Sequence, residues 1–294
     1  MTRALVIGAS GQLGRALSEA LRRSYEVTEA VRSSPQPGQL RVDLEDPDGA
    51  AAIRSLRPAW IVIAAAYCNV DGAESERSLC LRVNVEGPLA IAACARELGA
   101  GVVYYSTDQV FDGTKPAHAE QDPINPLNHY AFSKAQGEAA VADQAPERHL
   151  IIRTAWLYGP DAARRNFALR LVDELSAGRP VRLPSDQWGT PTYTEDVAAV
   201  TRWLMERNRR GTFHATGPDL VDRVSLARRI CAAFGLNEAG LIPTPTAQVG
   251  QTARRPLRVR LDCGMLRADG GPTLRGLEAG LSALQQWQAA QVVG

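Results

Sequence analysis

A tyrosine and a lysine stand four residues apart in the segment Tyr130-Ala-Phe-Ser-Lys134. In a helix this spacing places the two side chains on one face. A nearby ammonium favours the phenolate, so we expect Lys134 to lower the pKa of Tyr130 and make its phenol a proton donor near neutral pH. Taken alone, the pattern is equally typical of an exposed pair on a surface helix.

The use of lysine elsewhere in the chain favours the chemical interpretation. The sequence has 33 lysine and arginine residues, and only Lys115 and Lys134 are lysines. Because arginine supplies nearly every other cation, a lysine at this spacing is less expected as a generic surface charge. Arginine would also substitute poorly, since its bulky fork differs from a compact ammonium.

A second polar group, Ser106-Thr107-Asp108, comes at the end of an apolar run over 102–106 that predicts a buried strand. Ligands of open parallel sheets bind at the carboxyl ends of the strands. We therefore expect the Thr107 hydroxyl and the Asp108 carboxylate to face a cofactor cleft. Capping of the strand end is the alternative.

The third group is the turn Gly8-Ala-Ser-Gly11-Gln12-Leu13-Gly14, which follows the first apolar run and opens a helical pattern. Glycines at this spacing allow a tight turn and a close approach to a pyrophosphate, which the helix N-terminus attracts. The turn predicts a dinucleotide site.

The end of the second predicted strand bears on the choice of dinucleotide. NAD enzymes place a carboxylate there, but this chain has Ala30 and Arg32. An arginine suits a 2′-phosphate, so NADPH is favoured and NADH is the alternative. In that alternative Arg32 is a solvated side chain, and Glu29 or Asp43 contacts the ribose.

Positioning these groups requires an α/β fold. Apolar runs alternate with helical patterns in the first half of the chain, which predicts a doubly wound, Rossmann-like parallel sheet. The predicted strands cover 4–7, 25–31, 60–64, 102–106 and 150–154, with helices at 12–23 and 83–98.

The alternation fades after about residue 155, where glycine-proline turns divide the chain into shorter pieces. We expect a dinucleotide-binding domain over 1–155 and a smaller α+β, mainly substrate-binding domain over 156–294, with segments returning to the first. The stretch 33–39 is the best loop candidate in the first half. The helical pattern at 274–290 could cover the substrate cleft or form a dimer contact.

Charge and cysteine content exclude several classes of protein. The formal net charge is +1, so no basic field favours nucleic acid or an anionic membrane. The five cysteines form no C-x-x-C pair, which argues against a zinc site or a disulfide framework and for a reducing cytoplasm. The N-terminus reads as a strand and not as a signal peptide, and no apolar run approaches the roughly 20 residues of a membrane span.

Together these motifs resemble the extended short-chain dehydrogenase/reductase superfamily and, in finer detail, the dTDP-4-dehydrorhamnose reductase family. The similar segments span nearly the whole chain, and their order and spacing make the resemblance strong. They are residues 64–74, 106–113, 129–138, 153–159, 186–192 and 255–262.

The resemblance implies reduction of the C4 ketone of a nucleotide-linked 6-deoxyhexose. Carbonyl reduction by one active site per chain needs no metal. The resemblance gives Tyr130 the role of general acid, places Lys134 on the nicotinamide ribose and lets Thr107 hydrogen-bond the carbonyl oxygen. It places Asp108 and Trp156 against the sugar nucleotide, with the indole as a flat wall. A homodimer stays open on separate grounds, since the helical pattern at 274–290 could form a dimer contact. The implied cofactor contacts are Gly11, Gln12, Leu13, Asp43, Leu44, Ala66, Tyr67, Cys68 and Tyr105, and Asn84 matches the superfamily's active-site asparagine.

The chain departs from the family pattern at Ile63, Cys68, Gln109 and Ala131. Three of these positions lie near the sugar or cofactor, which puts the particular sugar in doubt more than the reaction. Gln109 argues against a related 4,6-dehydratase, because an amide cannot act as the required base. Two alternatives stay open. One is a reductase for another 4-keto deoxysugar nucleotide, and the other is a non-catalytic subunit like the regulatory β subunit of methionine adenosyltransferase.

Overall fold

A seven-stranded parallel sheet forms the centre of the molecule. The structure, a computed structural model, describes residues 2–46 and 49–293. Its central sheet has the strand order β3-β2-β1-β4-β5-β6-β11, in which all neighbours are parallel. The strands of the described residues are β1 (Arg3–Ile7), β2 (Glu26–Val31), β3 (Leu40–Arg41), β4 (Trp60–Ile63), β5 (Gly101–Thr107), β6 (His149–Thr154), β7 (Leu157–Tyr158), β8 (Val181–Pro184), β9 (Trp188–Gly189), β10 (Thr192–Tyr193), β11 (Gly211–His214), β12 (Val221–Asp222) and β13 (Leu241–Thr244).

Helices cover both faces of this sheet and form a large part of the second half of the chain. A π-helical turn (Arg82–Glu86) joins α4 to α5, and 3-10 turns cover Asp108–Val110 and Glu238–Gly240. The α-helices are α1 (Gln12–Leu21), α2 (Gly49–Leu56), α3 (Gly72–Ser75), α4 (Arg77–Leu81), α5 (Gly87–Leu98), α6 (His129–Gln144), α7 (Phe167–Ser176), α8 (Thr194–Glu206), α9 (Arg223–Phe234), α10 (Thr246–Val249), α11 (Gly264–Ala268) and α12 (Leu277–Val293).

Strand β1 shows why the sheet is buried on both sides. Ala4 and Val6 point into one core, which α1 and α8 cover, whereas Leu5 and Ile7 point into another core beneath α2, α5 and α6. Because successive side chains of a strand alternate between faces, a fully apolar strand needs helices on both. The predicted doubly wound α/β fold is confirmed.

Element boundaries differ little from those predicted. Each predicted strand agrees with the observed one to within a residue at either end. Helix α1 ends at Leu21 and not at residue 23, and the helix predicted over 83–98 begins earlier, at Arg77, because the π-helical turn continues α4 into α5. The 33–39 stretch contains only turns and bends.

Residues 77–98 together form one helical stretch that is long and apolar enough to cross a membrane by length and composition alone. Our expectation that no segment approaches that length was too strict. In the structure this stretch packs against β5 and α6, and Cys80, Asn84, Ile91 and Cys94 are buried. That packing is typical of a core helix.

The second half of the chain builds a smaller region with its own core. Three two-stranded sheets pair β7 with β10, β8 with β13 and β9 with β12. Helix α12 buries Leu277, Leu281 and Leu284 in this core beside α9, and it lines neither of the cavities described below. From the same half, α8 packs on α1, and β11 pairs with β6. The division into domains at residue 155 stays a prediction.

Candidate active site

A cleft of about 710 Å³ opens at the carboxyl edge of the central sheet. Gly8 follows β1, Arg32 follows β2, Ala64 follows β4, Thr107 ends β5 and Thr154 ends β6, so these five strand ends contribute to it. The cleft brings together the predicted residues Gly8, Gly11, Gln12, Leu13, Gly14, Arg32, Asp43, Leu44, Ala66, Cys68, Tyr105, Thr107, Asp108, Tyr130, Lys134 and Trp156.

The glycine turn has the backbone that the motif requires. Gly8 has φ +86°, and a Cβ there would lie 2.6 Å from the backbone nitrogen of Ala65. A Cβ at Gly14 would collide with the Gly8 carbonyl oxygen, so this glycine lets α1 approach β1 closely. The N-cap of α1 is Gly11, which has no side chain to accept from the first-turn N–H groups. These groups lie beside the cleft and suit a pyrophosphate.

Helix α6 carries both Tyr130 and Lys134. Asn128 caps it by accepting a 2.8 Å hydrogen bond from the Ala131 N–H. Lys134 is only 2% exposed, and its Nζ lies 3.9 Å from the centre of the Tyr104 ring. Burial lowers the pKa of Lys134 to about 8, although Cys68 and Glu138 act in the opposite direction. The ammonium therefore stays charged at neutral pH, but its proton is held less tightly than usual.

The pKa of Tyr130 differs from our expectation. Burial raises it well above its usual value, and Cys68 and Asp108 raise it further, whereas the Thr107 hydroxyl works in the opposite direction. The prediction of a pKa lowered by Lys134 is therefore wrong for the cleft as described, because desolvation of the phenolate dominates. A protonated phenol is nonetheless the form that a proton donor needs.

Thr107 and Asp108 interact directly at the end of β5. The Thr107 hydroxyl donates to Asp108 Oδ1 over 3.1 Å and accepts from the Gln109 N–H over 3.2 Å. Asp108 is 5% exposed, and burial raises its pKa to about 6. Thr107 is thus held with its oxygen in the cleft, and Gln109 is fixed by a 3.2 Å bond from Asn128.

Asp108 gives a testable pH dependence. Its pKa is raised from 3.8 to about 6, so the folded state holds the proton more tightly than the unfolded state does. Its contribution to stability is full below pH 3.8 and is lost as the pH rises through 6. We expect the free energy of unfolding of Asp108→Asn, relative to wild type, to increase by up to about 3 kcal/mol between pH 4 and 7 in urea unfolding without ligands.

Asp112→Asn is the matched control for this measurement. Hydrogen bonds from Asn125 and Thr114 lower the pKa of Asp112 from 3.8 to about 2, so its contribution to stability changes mainly below pH 4. The stability of Asp112→Asn relative to wild type should therefore stay nearly constant between pH 4 and 7. A flat difference between Asp108→Asn and wild type across this range would contradict a desolvated Asp108.

Asn84 is buried and holds two of the segments that build the site through hydrogen bonds. It lies in the π-helical turn, is 1% exposed, and exchanges bonds of 2.9 and 3.1 Å with the backbone of Tyr67. Its amide also donates to Ser133 over 2.9 Å, and Ser133 in turn donates to the Tyr130 carbonyl over 2.7 Å. Asn84 thereby connects the loop after β4 to the first turns of α6.

Two of the predicted cofactor contacts, Tyr67 and Arg32, differ in their position relative to the cleft. Tyr67 does not line the cleft, because its phenol points to Glu76. At the adenine end, Glu29 is engaged by Arg22 at 2.6 Å and by Gln39 at 2.8 Å, which disfavours it as the ribose ligand. Arg32 and Asp43 both line the cleft, and a role for Arg32 at a 2′-phosphate stays a prediction.

The indole of Trp156 is not fully available as a flat surface for the sugar, because two residues already contact it. The Arg223 guanidinium lies 3.4 Å from the centre of its ring, and Gly189 packs directly against the indole. Trp156 also has φ +42°, a left-handed conformation that is strained for a bulky residue and typical of functional sites. A ligand therefore meets the indole together with Arg223.

A second cavity of about 380 Å³ adjoins the cleft and shares Val70, Asp108, Gln109 and Trp156 with it. Four arginines and one carboxylate supply its charged lining, so positive charge dominates. Three of these arginines could not be recognised from the sequence, because single arginines carry little information in a chain so rich in them. The charged residues are Asp108, Arg170, Arg182, Arg223 and Arg255.

A segment from the second half closes one rim of this cavity. Arg255 binds both oxygens of Asp71, at 2.9 and 2.8 Å, and the Ala253 N–H donates to Asp71 over 2.9 Å. Asn128 donates to the Arg254 carbonyl over 2.8 Å. The segment thus connects the loop after β4 to the N-terminus of α6.

The described residues contain no group of three or more His, Cys, Asp or Glu side chains that could hold a metal ion. Four of the cysteines are buried, and Cys68, in the cleft, is exposed.

The chain is similar to known proteins over nearly its whole length. The family model described as RmlD substrate binding domain matches residues 2–288. A protein of Streptomyces griseus named dTDP-4-dehydrorhamnose reductase is 36% identical over 97% of this chain and 90% of its own length. Methionine adenosyltransferase 2 subunit beta of Danio rerio is 32% identical over 90% of this chain and 84% of its own length.

Among solved structures, a dTDP-4-dehydrorhamnose reductase of Bacillus anthracis in complex with NADP superimposes with a TM-score of 0.88 at 29% identity. The match covers 97% of this chain and 99% of that one. Both halves of the present chain are therefore similar to those of a dinucleotide-binding reductase.

Proposed function

Because the chain belongs to the RmlD substrate binding domain family, the family of the dTDP-4-dehydrorhamnose reductases, we propose that it reduces the C4 ketone of dTDP-4-dehydrorhamnose with NADPH. One observation carries the proposal. Thr107, Tyr130 and Lys134 converge in a cleft that continues into an arginine-lined cavity. The cleft suits a dinucleotide and a ketone, and the cavity suits an anionic nucleotide.

We propose the following roles for the residues of the cleft. When bound, the cofactor supplies the hydride that the ketone carbon accepts. Tyr130 donates its proton to the ketone oxygen, so negative charge does not fully accumulate there. Lys134 binds the nicotinamide ribose and, by its charge, favours loss of the phenol proton at that moment. Thr107 hydrogen-bonds the same oxygen and so orients the ketone towards Tyr130.

Purified protein with NADPH and a dTDP-linked 4-keto-6-deoxyhexose tests the proposal. We expect oxidation of NADPH in step with loss of the keto sugar, and no oxidation with dTDP-glucose, which has no ketone to reduce. Protein that binds NADP+ but oxidises no NADPH with any dTDP- or UDP-linked 4-keto sugar would contradict it.

A regulatory subunit is the second candidate, because the chain is similar to the Danio rerio β subunit. A binding module has no chemical need for Thr107, Tyr130 and Lys134 in one cleft, which favours the enzyme. A reductase for a different 4-keto sugar also stays within the proposal, since Cys68 and Gln109 line the cleft at positions where the family pattern differs.

We also propose a cytoplasmic location, in keeping with five free cysteines and the use of NADPH. Assembly as a homodimer stays a prediction.

A further inference from the structure

Arg223 stands at the start of α9 and reaches into the cavity beside the cleft. The preceding residue, Asp222, caps the helix and accepts hydrogen bonds from the N–H and hydroxyl of Ser225 over 2.8 and 2.6 Å. Its carboxylate is therefore occupied. The Arg223 guanidinium instead lies 3.4 Å from the ring centre of Trp156 and 4.8 Å from that of Phe167. Two aromatic rings thus fix its position.

Within the described residues this guanidinium has no hydrogen-bond acceptor and no ion-pair partner. Asp108 is close enough to act electrostatically on the Arg223 guanidinium. The salt bridges of the described residues do not include a pair between these two side chains. Arg255, by contrast, is paired with Asp71 through both oxygens. Stacking satisfies the face of the Arg223 guanidinium and leaves its in-plane N–H donors available.

The surroundings of Arg223 destabilise its positive charge when no anion is bound beside it. Burial lowers its pKa to about 9, and the positive charges of Arg255 and Arg170 act in the same direction. Like charges gathered in a partly desolvated cavity repel one another, and an anion bound among them relieves that repulsion. A diphosphate diester carries two negative charges, and guanidinium forks suit phosphate oxygens.

The position of Arg223 indicates which phosphate it contacts. Asp108 lines both the cavity and the catalytic cleft, and it directly follows Thr107 at the reacting ketone. Arg223 acts electrostatically on Asp108 and is therefore near the sugar end of the substrate.

We propose that Arg223, held by Trp156, binds the sugar-linked phosphate of the substrate and so makes the site select nucleoside diphosphate sugars. This inference rests on the proposed function, because it assumes a nucleotide sugar in the cavity.

Titration of NADP+-loaded protein with dTDP and with dTMP tests it. We expect wild type to bind dTDP more tightly than dTMP. Arg223→Gln should raise the Kd for dTDP by about 10- to 100-fold and leave that for dTMP nearly unchanged. Arg223→Lys, which keeps the charge without the planar fork, should fall between the two. With the keto sugar as substrate, KM should rise more than kcat falls.

Arg207→Gln is the matched control. The Arg207 guanidinium also stacks on a tryptophan, 4.4 Å from the Trp203 ring centre, but it lines neither cavity. This variant should bind dTDP as wild type does. An unchanged Kd for dTDP in Arg223→Gln, or equal weakening of dTDP and dTMP, would overturn the inference while turnover of the keto sugar by wild type upheld the proposed function. Absence of turnover, with dTDP binding still sensitive to Arg223, would overturn the function alone.

Discussion

Replacing Tyr130 by phenylalanine should lower kcat for keto-sugar reduction by about 100- to 10,000-fold. The ring would still pack at the start of α6, so the affinity for NADP+ should change little. What is lost is the proton that meets the ketone oxygen as hydride arrives at carbon. Thr107 can hydrogen-bond that oxygen, but its hydroxyl now donates to Asp108 and is too weak an acid to replace the phenol.

Single-turnover measurements of NADPH oxidation at saturating keto sugar would separate this chemical step from product release. Tyr158→Phe is a suitable control, because it removes another buried phenol, bonded to the Leu277 carbonyl at 3.3 Å, from outside the cleft. Unchanged kcat in Tyr130→Phe would show that another group donates the proton. Equal inactivity of wild type and Tyr130→Phe, with NADP+ still bound, would contradict the enzyme proposal itself.

The first half of the fold could be predicted because local patterns determine it. Apolar strands such as β1 and β4 must be buried on both faces, and parallel strands need helical crossovers. The second half could not be predicted in the same way, because its strands are short and one of them depends on pairing over a long sequence distance. Strands of two residues, such as β7 and β9, are too short to show periodicity. Strand β11 joins the central sheet only through its pairing with β6, about 60 residues earlier in the chain.

Some features of the candidate site could likewise be predicted from the sequence, and others could not. The family resemblance implied that Thr107 and Tyr130 act on one carbonyl oxygen, whereas the residues alone placed Thr107 at a strand end and Tyr130 on a helix. The sign of the Tyr130 pKa shift could not be predicted from the sequence, since it depends on how deeply the phenol is buried. The role of Arg223 could not be predicted either, because it depends on stacking on Trp156 and on the absence of an ion-pair partner among the described side chains.

The second large effect should come from Glu138, which lies on the same face of α6 as Tyr130 and Lys134. Arg153 on β6 binds both of its oxygens, at 2.9 and 2.7 Å, and the two side chains are only 7% and 6% exposed. Arg153 also donates to the Glu120 carbonyl over 3.1 Å and stacks 5.1 Å from the centre of the Phe111 ring. This ion pair attaches the catalytic helix to the sheet.

Glu138→Gln should therefore lower the free energy of unfolding by about 3–5 kcal/mol, because Arg153 would remain buried and charged without its partner. That is a large part of a typical domain's stability. Urea unfolding at neutral pH measures it. The double variant Glu138→Leu/Arg153→Met, which removes both charges and keeps similar volume, should recover most of the loss. Glu97→Gln, which breaks the exposed pair with Arg54 at 3.0 Å, should resemble wild type.

Activity provides a second, independent measurement on the same variant. Burial lowers the pKa of Lys134 to about 8, and the negative charge of Glu138 opposes that shift. Removing this charge should lower the pKa of Lys134 further, so the ammonium would lose its proton at a lower pH. The basic limb of the kcat/KM profile of folded Glu138→Gln should then move to lower pH. A variant that loses stability but keeps the wild-type basic limb would show that Glu138 only holds the helix in place.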